Sequence, residues 1–100
     1  MNIYKLSQNI NDDYNTYDSC VVCAENEEEA RLIHPSWVVT HCDNENWYGT
    51  DSTGKEYKTE DDYPIEWVKR KDVDKIEVEY IGKAKKGMKK GVILASFNAG

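Results

Sequence analysis

Residues 75–82, KIEVEYIG, alternate strictly, with Ile76, Val78 and Tyr80 on one side and Glu77 and Glu79 on the other. A period of two marks a strand with one buried and one wet face. Residues 2–8, NIYKLSQ, alternate in the same way, and the polar, turn-forming run INDDYNT after them predicts a hairpin-like return. The returning strand, YDSCVVCAE over 17–25, is apolar on both sides, with Cys20, Val22 and Ala24 on one and Val21 and Cys23 on the other. Such a strand belongs in the middle of a sheet. The last segment, GVILASFN over 91–98, is again apolar on both sides.

One stretch breaks from this period. In NEEEARLIHP, residues 26–35, Asn26 can cap a helix, Glu29 stands three positions on, and the acids at 27–29 suit the positive end of the helix dipole. Glu27 reaches Arg31 at the i,i+4 spacing, and Pro35 stops the helix. So short a helix is marginal alone and must dock Ala30 and Ile33 on a sheet.

Between these elements the chain is less regular. NWYGT, DSTG and KEYKT, residues 46–59, read as a hairpin with Gly54 in the turn, and EDDYPIEW is acidic and turn-like around Pro64. The expected fold is therefore α+β: a mainly antiparallel sheet of about five to six strands with one short helix on one face. Two doubly apolar strands and a single helix leave the second face to be covered. The aromatic-rich segment 37–67, with Trp37, Trp47, Tyr48, Tyr57, Tyr63 and Trp67, is one candidate, and a second copy of the chain is the other. We expect a homodimer.

Composition narrows the picture. A chain of 100 residues is the size of a single domain, 1–100, and 39% hydrophobic residues with eleven aromatics exclude a disordered chain. No apolar run approaches the length of a membrane span and the first residues lack a leader pattern, so the expected location is the cytoplasm, with no membrane partner. Cys20, Cys23 and Cys42 are an odd number of cysteines without secretory context, which favours free thiols. Cys20 and Cys23 could join His34, His41 and Cys42 as a zinc set. Residues three apart on a strand point to opposite faces, however, so buried small hydrophobes are the simpler reading. No metal or cofactor is expected.

Charge is distributed unevenly. The net charge is -6, yet the first fifty residues hold nine acids against two bases and the last fifty ten against eleven. Lys83, Lys85, Lys86, Lys89 and Lys90 crowd into the segment between the strands that end near Gly82 and begin at Gly91, predicting a hairpin with a lysine-rich tip. Charges beyond about 8 Å are screened at physiological salt, so the acidic remainder does not cancel this cluster. The run is either an anion site or a solvated loop. It is not a phosphate-binding P-loop: Met88 stands where lysine is required, and a strand follows instead of a helix. The second candidate is YNTYDS, where Tyr14, Thr16, Tyr17 and Asp18 enter the central strand, a common setting for recognition residues. The alternative there is that Tyr17 packs on the core while Asp18 caps a turn.

Catalytic patterns are weak. Ser19, His34, His41, Asp18 and Cys42 form no Gly-x-Ser-x-Gly elbow and no deaminase pattern, and the acids at 43–45 and 60–62 miss the calcium-loop template. Glu77 and Glu79 on one strand face would suit magnesium in a small nuclease or phosphodiesterase, but outward glutamates more often mark a wet face. An enzyme is not expected.

The runs YKLSQN, YDSCVVCAENEEEARLIHP, DKIEVEYIGKA and GVILASFNAG together resemble a group of small bacteriophage and prophage proteins across nearly the whole chain. The resemblance implies phage origin and the host bacterial cytoplasm, and it carries no site residues. By outline it points to anti-CRISPR and other anti-defence proteins that act by stoichiometric binding. Two surfaces would serve such a role. Glu27, Glu28, Asp43, Glu45, Asp61 and Asp62 would occupy a basic nucleic-acid channel of a host defence protein. Alternatively Lys85, Lys86, Lys89 and Lys90, with Tyr14, Thr16, Tyr17 and Asp18, would enclose an anionic nucleotide messenger in a dimeric pocket. A phage DNA-metabolism accessory protein, binding nucleic acid through the lysines, is the remaining alternative.

Overall fold

A computed structural model describes residues 1–11, 15–59 and 66–98. In chain order it holds β1 (Asn2–Ser7), β2 (Thr16–Ala24), α1 (Glu27–Arg31), β3 (His41–Cys42), β4 (Trp47–Thr50), β5 (Glu56–Lys58), a 3-10 helix (Arg70–Lys75), β6 (Glu77–Lys83) and β7 (Gly91–Asn98). The strands form two antiparallel sheets, a four-stranded one in the order β6-β1-β2-β7 and a three-stranded one in the order β3-β4-β5. The class is thus α+β and mainly antiparallel. The expected single sheet of five to six strands is corrected to two, because the 46–59 hairpin pairs with His41 and Cys42 instead of joining the larger sheet. No helix among the described residues is long and apolar enough to cross a membrane.

Register fixes the two faces of the larger sheet. Leu6 stands opposite Cys20 and Val78, and Tyr4 opposite Val22 and Tyr80, so these side chains share one face. Lys5 stands opposite Val21 and Glu79, Ser7 opposite Ser19 and Glu77, and Val21 opposite Leu94, which makes the other face. β2 is central, as its double apolarity predicted.

Helix α1 begins as its sequence prescribes. The Asn26 side chain accepts from the Glu29 amide at 2.8 Å, and the Glu29 carboxylate accepts from the Glu25 amide at 3.0 Å. It ends earlier than Pro35 alone requires. The amides of Leu32 and Ile33 donate to Glu29 and Ala30, three residues back, and this tightened turn closes the helix at Arg31. Arg31 lies 4.0 Å from Glu27 and donates to the Ile76 carbonyl at 3.2 Å, tying the helix to the start of β6.

Helix α1 and the described part of segment 37–67 lie on the same face of the sheet. Ala30 and Ile33, together with Trp47, Trp67, Val68, Val73 and Ile76, form one cluster with Tyr4, Leu6, Cys20, Val22 and Ala24. The Trp47 indole donates to the buried Val68 carbonyl at 2.9 Å, which locks the small sheet against residues 66–76. At Gly49 a side chain would collide with the Tyr57 ring and the Val38 carbonyl at under 3 Å, so the close approach there requires glycine. Of the two candidates for the second face, segment 37–67 is therefore set aside, since its described residues Trp47 and Val39 pack on the first.

Two further expectations change. β6 and β7 lie on opposite edges of the sheet, so residues 84–90 are a crossover past the ends of β1 and β2, not a hairpin tip. The Ala84 amide donates to the Met1 carbonyl as the loop crosses. Neighbouring residues in sequence pair by default, but here β1 and β2 already occupy the centre. β7 is also not buried on both sides: as an edge strand it leaves Val92, Ile93, Leu94 and Phe97 exposed, Leu94 by 68%.

Candidate functional site

The lysine loop and Tyr17 lie at opposite ends of the larger sheet. Gly91, next to Lys90, pairs with Cys23, whereas Phe97 and Asn98 pair with Tyr17 and Thr16. Seven residues of extended strand separate the two ends, roughly 20 Å. One chain therefore does not bring Lys85, Lys86, Lys89 and Lys90 together with Thr16, Tyr17 and Asp18.

Each half has its own structure. At the lysine end, Lys85, Lys86, Lys89 and Lys90 are exposed, and Gly87, at φ +94°, gives a tight turn in which the Met88 amide donates to the Lys85 carbonyl. The Lys90 ammonium stands 3.9 Å from the Glu29 carboxylate, a loose pair at the surface. At the other end Thr16 is buried and Asp18 exposed, with the Ser19 hydroxyl donating to Asp18 at 3.3 Å. Tyr17 is half-buried edge-on against Phe97, ring centroids 4.8 Å apart, and its amide donates to the Glu66 carbonyl. Burial raises the Tyr17 phenol, helped by the charge of Glu66, and burial raises Glu66 as well. Tyr14 lies outside the described residues.

The acidic candidates are dispersed. Glu27 and Glu28 are exposed in the first turn of α1. Asp43 caps the turn before β4: it accepts from the Tyr48 hydroxyl at 2.6 Å and from the amides of Glu45 and Asn46 at 2.8 Å. These bonds, with Tyr48 foremost, hold its carboxyl down at about 2, so the group serves its own turn. Glu45 is exposed beside it, and Asp61 and Asp62 lie outside the described residues.

The cysteine and histidine candidates also separate. Cys20 is on the covered face, where burial pushes its thiol up to about 12, and Cys23 is on the other face with its thiol 3.8 Å from the Met1 sulfur. Among the described residues no three His, Cys, Asp or Glu side chains cluster in a way that could hold a metal. The His41 ring stacks on Tyr48, with Nε2 2.7 Å from Glu56 and Nδ1 2.8 Å from the Thr40 hydroxyl. Glu77 and Glu79 are exposed on the open face, opposite Ser7 and Lys5.

Sequence reasoning missed a cleft of about 720 Å³ between residues 32–42 and the start of β7, bordered by His34, Trp37, His41, Cys42, Trp47 and Lys90. Such a volume is within the range of small-molecule sites. His34 and Trp37 belong to no periodic segment and Lys90 is distant in sequence, so only the stranded tryptophan after Pro35-Ser36 offered a hint. Compared with protein-family models, with curated proteins and with solved structures, the chain matches none.

Proposed function

We propose that the protein acts by stoichiometric binding, as a phage-encoded protein of the bacterial cytoplasm that blunts host defence by sequestering an anionic nucleotide messenger between two copies of itself. The observation that carries this reading is the β7 edge. β6, the other edge, bears Glu77, Glu79 and Lys83 and is broken by a bulge against β1, features that discourage further pairing. β7 has eight residues, no charge and four exposed apolar side chains. An edge of this kind is a template for another strand.

Antiparallel pairing of β7 with its copy sets the start of one strand beside the end of the other. Lys85, Lys86, Lys89 and Lys90 of one protomer then approach Tyr17 of the partner subunit and Asp18 of the partner subunit. The two half-sites that one chain holds apart meet across the dyad. Lysines suit phosphates, a tyrosine offers ring area and a hydroxyl, and an aspartate suits ribose hydroxyls.

The reading in which acids imitate phosphates is less favoured, because Asp43 is committed to Tyr48 and its own turn. Calorimetry against cyclic and linear nucleotides, paired with sedimentation, tests the proposal. Binding by a dimer, abolished when Lys85, Lys86, Lys89 and Lys90 are replaced together by Gln, is expected. No heat with any nucleotide, or a strictly monomeric protein, removes it.

A further inference from the structure

Of the three tryptophans, Trp47 and Trp67 are buried, whereas Trp37 is 89% exposed. Its indole borders the 720 Å³ cleft. An exposed indole at the mouth of an apolar recess is a platform on which a planar ring can stack.

The recess carries one polar handle that the fold does not use. Nδ1 of His34 accepts from the Ser36 amide at 3.0 Å, while the ring packs edge-on to Trp47 at 5.0 Å. Burial lowers this imidazole to about 3, so it is neutral at physiological pH and its proton resides on Nε2. Among the described residues Nε2–H has no hydrogen-bond partner. By contrast, both ring nitrogens of His41, on the same wall, are engaged by Thr40 and Glu56. A donor in an apolar recess favours ligands that bring an acceptor.

Charge completes the set. Lys90 closes the side of the cleft nearest β7, and its only ion pair among the described residues is the loose contact to Glu29. We propose that this cleft is a second, single-chain site for a small aromatic anion of the nucleoside-monophosphate class, with the base against Trp37, an acceptor atom on Nε2–H of His34 and the phosphate on Lys90. It goes beyond the dimeric messenger site, because no residue of a second copy is needed and Tyr17 takes no part.

Adenosine 5′-monophosphate is the probe, with calorimetry on the full chain and inorganic phosphate as the control. One molecule per chain is expected, with no comparable binding of inorganic phosphate. Lys90→Gln and Trp37→Ala, both at exposed positions where folding is not at stake, should each weaken binding about tenfold. His34→Phe keeps an aromatic ring, removes the Nε2 donor together with the Nδ1 acceptor of the Ser36 amide, and should do the same. Lys85→Gln with Lys86→Gln removes the loop's share of any nucleotide binding and should leave the one-per-chain binding that Trp37→Ala weakens. Absence of heat at millimolar nucleotide overturns the proposal, as does binding that survives both Trp37→Ala and Lys90→Gln, or that inorganic phosphate matches. Loss of binding in the Lys85/Lys86 variant with Trp37→Ala silent also overturns it, placing the nucleotide on the loop and leaving the messenger reading intact.

Discussion

The two faces of the four-stranded sheet are built from the same strands and have opposite fates. One carries Tyr4, Leu6, Cys20, Val22 and Ala24 under α1, the small sheet and residues 66–76. The other carries Lys5, Ser7, Ser19, Val21, Glu77, Glu79 and Leu94 with much less cover. The covered face supplies stability, since burial of apolar surface is the main favourable term in folding. The open face, with the β7 edge, leaves apolar side chains exposed, and it is there that the proposed self-association would take place.

Leu6 and Leu94 separate these roles most sharply. Leu6→Ala removes a fully buried side chain and should cost about 2–5 kcal/mol in urea unfolding. Equal losses at the two leucines would break the contrast. Acid should erode the covered side next. The folded chain keeps His34 neutral until about pH 3, whereas the unfolded chain takes up that proton near 6.5. Stability is therefore full above 6.5 and falls towards 3, by about 3 kcal/mol at pH 4. Asp43 adds its own loss only below about 3.8, as the pH approaches 2. Glu66, raised above 4.5 by burial, opposes the His34 loss in the same range, so the His34 share between pH 4.5 and 6.5 is the difference between wild type and His34→Phe; parallel curves would count against its burial as the cause.

Smaller effects sharpen the same contrast. Asn26→Ala removes the cap of the helix that lies on the covered face and should cost about 1 kcal/mol, visible as a lowered melting temperature. Leu94→Lys, at a mostly exposed position, should change subunit stability by no more than about 0.5 kcal/mol. The same change should weaken self-association at least tenfold in sedimentation, because it places like charges on both copies. Unaltered association would argue that β7 pairs with nothing.

Legibility in the sequence followed range. β1, β2, β6, β7 and the α1 cap were readable because alternation and capping are written within a few residues, as in KIEVEYIG and NEEE. Strand order was not. The nearest partner of β6 in sequence is β7, yet β1 and β2 stand between them, and that outcome depends on contacts some seventy residues apart. Double apolarity correctly centred β2 but misplaced β7, because an edge strand with exposed apolar side chains carries the same pattern as one buried in the middle of a sheet. The cleft escaped for a similar reason: His34 and Lys90 come from segments that pattern alone cannot bring together.

The crossover at 84–90 has a practical result. It is rich in lysine and exposed, and it is the covalent link between the two edge strands β6 and β7. Trypsin cutting there would turn a continuous polypeptide into a two-piece assembly, its edge strand kept in place by pairing with β2 and no longer by the crossover. A synthetic peptide of matching sequence could then trade places with it.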